Sequence, residues 1–352
     1  FSDELVLRKI NTNIKKFIKT PNTSRDTIIA SIKSLLSEGV AYRVYRLDIK
    51  SYYESFNTEE VTSTIASTPK LSLLTKKMVK EILTQHTSNG GLGIPRGLAL
   101  SATLSEAMML AFDKKIRELP EVFFYSRYVD DIIIITSGNE SEENFKKSAS
   151  KLLPNGLNLN EHKTRACLAQ NDVQPYKNTQ PPPAAVLTFE FLGYQFTVYE
   201  PLKSNDRSPF RVVNLDIAES KVKKIKTRMT RALISYCNNR NFGLLEARFK
   251  HLTSNFSVLD ADRERKRLAG IFYNYHRIDI ESSKAIKQLD SYLKKTALSG
   301  HGTVFDDFFC KTTVAQRRRL LKFSFERGFR EKTFIHFSQE NLKLLQECWA
   351  YV

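Results

Sequence analysis

Three aspartates, Asp48, Asp130 and Asp131, are the residues of this sequence best suited to chemistry. Two of them interrupt the run Phe123-Phe124-Tyr125-Ser126-Arg127-Tyr128-Val129-Asp130-Asp131-Ile132-Ile133-Ile134-Ile135, whose strand-like halves read as a β-hairpin turning at the acids. Tight hairpin turns favour Asn-Gly or Asp-Gly and adjacent like charges repel, so Asp-Asp is a poor structural choice unless a cation offsets it. The alternative is a plain acidic turn. Asp48 closes the run Tyr42-Arg43-Val44-Tyr45-Arg46-Leu47, in which Val44, Arg46 and Asp48 share one face of a strand. Carboxylates delivered by separate segments are what two-metal phosphoryl transfer requires. Two ions roughly 3.5–4 Å apart activate the attacking oxygen and steady the leaving one. Magnesium suits such a site because it prefers hard oxygen ligands and keeps positions open for water and phosphate.

Other chemistry finds less support. The six histidines are scattered, and Cys167, Cys237, Cys310 and Cys348 lie far apart with no Cys-x-x-Cys pair, which argues against a zinc ribbon and a disulfide framework. Free thiols in a reducing cytosol are expected. No run of about 18 apolar residues occurs, so no membrane partner is expected. The sequence opens at Phe1 rather than methionine, and residues ahead of it are expected in the native chain.

The 352 residues can hold more than one core. Connection-like stretches occur at Gln170–Pro183, with its Pro181-Pro182-Pro183 run, and at Glu200–Pro209. Before the second, strand-like runs alternate with helical patterns; after it helical spacing dominates, as in Val222, Ile225, Met229 and Leu233 with Lys221, Lys223, Lys224, Lys226, Arg228 and Arg231 on the other faces. Of the net charge of +17, +14 falls in residues 201–352, which have 30 Lys+Arg against 16 Asp+Glu. Such an excess fits a polyanionic partner, or simple solubility. The expected organisation is an α+β domain over 1–200 followed by an all-α basic domain over 201–352.

The same residues resemble the reverse transcriptases. Leu47-Asp48-Ile49-Lys50-Ser51-Tyr52-Tyr53-Glu54-Ser55-Phe56 is similar to their first catalytic motif and Tyr128-Val129-Asp130-Asp131 to their Tyr-x-Asp-Asp box. Between them, Gly93-Ile94-Pro95-Arg96-Gly97-Leu98-Ala99-Leu100-Ser101 resembles the Pro-Gln-Gly segment. After them, Leu157-Asn158-Leu159-Asn160-Glu161-His162-Lys163-Thr164 resembles the lysine motif, and Phe189-Glu190-Phe191-Leu192-Gly193-Tyr194 the primer grip. Five motifs in family order cover about residues 40–200.

The resemblance implies a right-hand-like fingers and palm domain with an antiparallel palm sheet, followed by a thumb-like helical domain. It implies two Mg2+ ions, with Mn2+ as an alternative, at Asp48, Ile49, Asp130 and Asp131. Lys163 matches the proposed proton donor to pyrophosphate, although a lysine there could be only a countercharge. Tyr53 matches the aromatic that blocks a ribose 2′-hydroxyl, implying dNTP substrates; the alternative is a core tyrosine. Arg96 and Gly97 are expected at the nucleotide, with Arg96 departing from the family's glutamine. Among the leading basic residues Arg8, Lys9, Lys19 and Arg25, Arg25 is the choice for the triphosphate. Phe191, Leu192 and Gly193 are the expected primer grip. Ser101 is expected to cap the helix whose stripe includes Leu104, Met108 and Phe112.

Residues 48–56 and 96–106 look most like the bacterial abortive-infection and antiphage-defence reverse transcriptases, which implies a cytoplasmic protein working with a noncoding RNA. The expected activity is RNA-directed DNA synthesis, with RNA template, DNA product and dNTPs as partners and a second polymerase or a second copy as an open alternative. Arg96 motivates template-independent synthesis by the same site, and protein-primed synthesis is a further alternative. A non-catalytic RNA scaffold would be expected to have lost an acid, and an RNA polymerase of the same type is disfavoured by Tyr53 and by Tyr-Val-Asp-Asp.

Overall fold

A computed structural model describes residues 2–18, 24–170, 174–175, 184–203, 209–260 and 265–349. Lys19 and Pro181-Pro182-Pro183 lie outside them. The chain forms two compact units, one of residues 1–187 with 199–212 and the other of 188–198 with 213–352. The division runs through consecutive strands rather than at one linker.

In the first unit, α1 (Ser2–Phe17) and α2 (Arg25–Leu36) precede β1 (Tyr42–Asp48). Then come α3 (Thr58–Ser67), α4 (Leu73–Ser88), α5 (Ala99–Arg117), β2 (Val122–Tyr128), β3 (Asp131–Thr136), α6 (Glu142–Lys151) and β4 (Arg165–Ala169). Helix starts follow local chemistry: Ser24, Asn57, Ser72 and Ser141 accept backbone N–H groups at the heads of α2, α3, α4 and α6. Helix α5 is the exception. Its N-cap is Leu98, with no side-chain cap, while Ser101 lies within the helix and donates to the Pro95 carbonyl, so the expected Ser101 cap is corrected. The four-stranded sheet has the order β2-β3-β1-β4 with antiparallel pairing of each neighbour.

Strand β3 is interior, and Ile132, Ile133, Ile134 and Ile135 are all buried. A strand covered on both faces reads as a continuous apolar run, as here. The α5 stripe Leu100, Leu104, Met108, Phe112 and Ile116 recurs at four-residue spacing and is buried in the same core as Tyr45, Leu47 and Ile134. Burying each such side chain contributes about 1.5–3 kcal/mol. That core fixes the ends of β1 and β3, where the acids stand.

Strands β5 (Gln174–Pro175), β6 (Ala185–Phe191), β7 (Tyr194–Lys203) and β8 (Phe210–Ile217) form a second sheet. The second unit continues with α7 (Glu219–Asn239), α8 (Phe242–Thr253), β9 (Asn255–Asp260), β10 (Arg265–Gly270), α9 (Ile271–Tyr275), α10 (Lys284–Leu298), α11 (Thr303–Cys310), α12 (Val314–Leu320), α13 (Phe325–Arg330), β11 (Phe334–Ile335) and α14 (Gln339–Gln346). The all-α expectation for residues 201–352 is therefore corrected: the region is rich in helix but includes β8 and a three-stranded sheet of order β10-β9-β11. Arg265-Lys266-Arg267 in β10 disguises the strand as a charged loop, and β11 has only two residues. The α7 expectation holds in part: Val222, Met229 and Leu233 are buried and Lys221, Lys223 and Lys224 exposed, while Ile225, Lys226, Arg228 and Arg231 are half-buried. Among the described residues no helix is long and apolar enough to cross a membrane. All four cysteines are free.

Candidate active site

The sheet register brings the acids together. Asp48, the last residue of β1, pairs with Asp131, the first residue of β3, and Tyr128 pairs with Asp131 from the other side. Antiparallel partners have Cα atoms about 4.5–5.5 Å apart, so two carboxylates separated by 83 positions share one sheet end. The hairpin loop is Val129-Asp130, one residue earlier than the acid pair suggested, and Asp131 belongs to the strand. Val129 takes φ of 61°. A β-branched residue in that region is a backbone outlier costing about 1–3 kcal/mol, of the kind that persists where a site requires it.

The lysine motif packs along the same sheet end. Asn160 N–H donates to the Asp48 carbonyl at 2.7 Å, Lys50 N–H donates to Asn158 at 2.9 Å, and Ile49 faces Leu159 in an antiparallel bridge. This hold aims two side chains at the Asp48 carboxylate: Lys163 Nζ reaches Oδ1 at 3.2 Å and Asn160 Nδ2 reaches Oδ2 at 3.2 Å. Asp48 is buried, and Lys163 is largely exposed. Ile49, buried, has a hydrocarbon side chain, so only its backbone carbonyl could offer an oxygen.

Burial pushes the Asp131 carboxyl above its ordinary value, and the negative charges of Asp130 and Asp48 push it further; Arg46, 3.9 Å away, and Lys163 oppose the shift. A raised folded-state value means that the ionised carboxylate destabilises the fold above that value, and the penalty vanishes once the acid is protonated in both states. Asp131→Asn is therefore expected to raise the Tm at neutral pH. The gain should fade as pH drops through the raised value and be gone below the ordinary carboxylate range, which thermal melts from neutral pH to pH ~3 would check.

Tyr53 and Arg96 interact electrostatically with Asp130 and so share its neighbourhood. Half-buried Tyr53 meets Tyr52 edge-on, with ring centroids 5.2 Å apart. Exposed Arg96 pairs with Glu54, Nη2 to Oε2 at 2.8 Å, and this partner holds the Glu54 carboxyl below its usual value. Gly93 makes the approach feasible. At φ of 60° it lies so near that an added Cβ would sit 2.2 Å from the Tyr53 carbonyl, and Ile94 N–H donates to that carbonyl at 2.8 Å. Gly97 lies two residues before the helix, at φ of 88°.

Two further expected groups stand on other elements. Arg25 is the first residue of α2, whose Ile28 and Ser31 line a cavity of about 250 Å3 beside Arg127 and Asp113. The Leu192-Gly193 loop joins β6 to β7 with φ of 46° and 81°, the positive pair of a tight hairpin, and buried Phe191 precedes it in the second unit. Sequence reading passed over Asn160 and Arg127, although both stand inside motifs quoted for other residues.

The donor set is chemically suited to a hard divalent cation: carboxylates only, mutually repelling, at the open end of a sheet. Among the described residues no three His, Cys, Asp or Glu side chains already surround a common point. Lys163 and Arg46 instead supply the positive charge at Asp48 and Asp131.

The sequence matches the family described as Reverse transcriptase (RNA-dependent DNA polymerase) over residues 4–196, more than half of the chain. No curated protein matches it. Among solved structures it is similar to apo telomerase from Candida tropicalis, at 15% identity over 99% of this chain and 57% of that one, with a TM-score of 0.39. It is also similar to telomerase from Candida albicans in complex with a fragment of telomeric RNA, at 11% identity over 97% and 53%, with a TM-score of 0.36. A C-terminally truncated apo form of the Candida tropicalis enzyme gives 16% identity over 56% and 43%, with a TM-score of 0.36. The chain thus spans about half the length of the solved structures it matches. With the family matched across all the motif-bearing strands, the chain belongs to the reverse transcriptase (RNA-dependent DNA polymerase) family.

Proposed function

We propose that the chain is an RNA-directed DNA polymerase that adds dNTPs to a 3′ end at the sheet end bearing Asp48, Asp130 and Asp131. The observation that carries this reading is the facing pair Asp48 and Asp131 with Asp130 beside them. Two Mg2+ ions, or Mn2+ in their place, held by these carboxylates and the Ile49 carbonyl would supply activation of the 3′ oxygen and stabilisation of the leaving pyrophosphate. Lys163, already drawn to Asp48, is suited to neutralise or protonate that leaving group. Tyr53 would stand against a ribose 2′-hydroxyl, and Arg96 with Gly97 would meet the incoming nucleotide. Arg25 is proposed at the triphosphate, and Phe191, Leu192 and Gly193 at the primer. In the family's terms the first unit serves as fingers and palm and the basic second unit as thumb.

The second unit offers a surface for the polyanion. Lys226, Lys287 and Lys295 line an open groove of about 390 Å3 between α7 and α10, together with Tyr292, whose ring lies 5.8 Å from Lys226 Nζ. Cations interleaved with an aromatic ring suit a single-stranded backbone and its bases. The triple variant Lys226→Glu, Lys287→Glu, Lys295→Glu is expected to weaken RNA binding. It should also flatten the plot of log affinity against log salt by about two, since each lost phosphate contact removes roughly 0.7–0.9 from the slope. Fluorescence anisotropy over a salt series checks this.

The motif details at residues 48–56 and 96–106 favour a role in bacterial antiphage defence, in the cytoplasm and with a noncoding RNA. Arg96, where the family has glutamine, favours template-independent synthesis as the second reading, with protein-primed synthesis by the same site as a further alternative. Incorporation of labelled dNTPs, but not NTPs, into a primed RNA template in Mg2+ tests the first; polymer made without any template supports the second, and none under any condition removes both.

A further inference from the structure

Arg127 is the most buried cation near the acids, with its side chain 3% exposed, and it joins α5 to the turn that carries Asp130. Its Nη1 donates to the Val129 carbonyl at 3.0 Å, the peptide unit immediately before Asp130. On α5 it donates to Glu106 at 2.8 and 2.7 Å and to Asp113 at 2.9 and 2.8 Å. A sixth contact, 3.4 Å, reaches the Tyr52 hydroxyl, next to Tyr53. Asp113 is held in turn by the Tyr125 hydroxyl at 2.6 Å. The fork geometry matters because a planar guanidinium can serve two carboxylates and a carbonyl at once, whereas an ammonium is a point charge.

One of these contacts meets a turn whose φ at Val129 a branched side chain disfavours, and the others anchor Arg127 to α5 and Tyr52. Such a conformation persists only where the surroundings over-determine it. We propose that Arg127 is a positioning residue: its bond to the Val129 carbonyl, braced by Glu106 and Asp113, holds the strained turn that presents Asp130. The proposal rests on the polymerase reading for its kinetic test, and its second readout stands without it.

Arg127→Lys keeps the buried charge but cannot span all three partners. Steady-state dNTP titrations on a primed template are expected to give a kcat at least ~10-fold below wild type, with KM for dNTP and affinity for the primed template within ~2-fold; misplacing a reacting group by about 1 Å costs up to ~100-fold. Glycine adopts positive φ freely. Val129→Gly introduced into Arg127→Lys is therefore expected to recover at least ~3-fold of the lost kcat, a rescue that general destabilisation would not give. Hydrogen exchange of the peptide over residues 127–133 should be at least ~10-fold faster in Arg127→Lys than in wild type, an opening that needs no turnover to read. A kcat within ~2-fold of wild type in Arg127→Lys, or no recovery in the double variant, overturns the proposal. If wild type makes no polymer the polymerase reading fails, and the exchange rate alone then decides: unchanged protection across 127–133 overturns the positioning role, and faster exchange supports it.

Discussion

Asp130→Asn is expected to lower nucleotide incorporation at least ~1,000-fold while leaving affinity for a primed template close to wild type and the Tm no lower. The reason lies in where the charge stands. Asp130 occupies the two-residue loop between β2 and β3, outside the core, so the isosteric amide disturbs no packing. It nonetheless removes one of three negative charges at this sheet end, along with an oxygen donor to the proposed ions. Lewis-acid stabilisation of a phosphoryl transition state amounts to several kcal/mol, and each 1.36 kcal/mol is about tenfold in rate. Loss of the repulsion between Asp130 and Asp131 acts the opposite way on stability and should return the Asp131 carboxyl toward its ordinary value. Single-turnover kinetics beside anisotropy binding would separate the two effects. A variant that binds normally and does not react matches expectation; retained activity would move the chemistry away from Asp130.

Asp113→Ala is expected to produce the largest loss of stability among substitutions that leave the apolar core alone, about 3 kcal/mol. Asp113 is buried at 4% side-chain exposure on α5 and accepts two donors from Arg127 and the Tyr125 hydroxyl. Removing one partner of a buried ion pair strands the other charge, at a cost of roughly 3–5 kcal/mol. Glu106 still faces Arg127 but is 26% exposed and so screened, which puts the expected value at the lower end. The Tyr125 hydroxyl also loses its acceptor, in a site whose burial already pushes that phenol far above its ordinary value. Urea titration followed by circular dichroism would measure the shift. A loss below ~1 kcal/mol would mean that water or rearrangement satisfies Arg127.

How much of this was legible in the sequence follows from the range of each interaction. Asp48, Asp130 and Asp131 were visible because strand alternation and a hairpin are local patterns, and the apolar run 132–135 announced an interior strand. The position of the turn was misread by one residue, because Val129 at positive φ violates the propensity used to find it. Ser101 was misread as a cap because a serine in a helix's first turn can instead bond back to the preceding loop, as Ser101 does to the Pro95 carbonyl. Strand β10 was missed because Arg265-Lys266-Arg267 conceals alternation behind charge. The Asn160 and Arg127 contacts could not be read at all, since they join residues 112 and 21 positions apart, distances that only the folded sheet and α5 bring together. An arginine before a Tyr-x-Asp-Asp box reads as a surface cation until its two carboxylates are seen.

The central claim is that this sheet end copies RNA into DNA, and sequencing the product tests it most directly. The purified chain would be given a primed RNA template of mixed sequence, Mg2+ and all four dNTPs, beside the double variant Asp130→Asn Asp131→Asn. The account predicts DNA complementary to the template from the wild-type chain and none from the variant. DNA unrelated to the template would contradict RNA-directed synthesis, and the same product from both proteins would contradict the assignment of these aspartates.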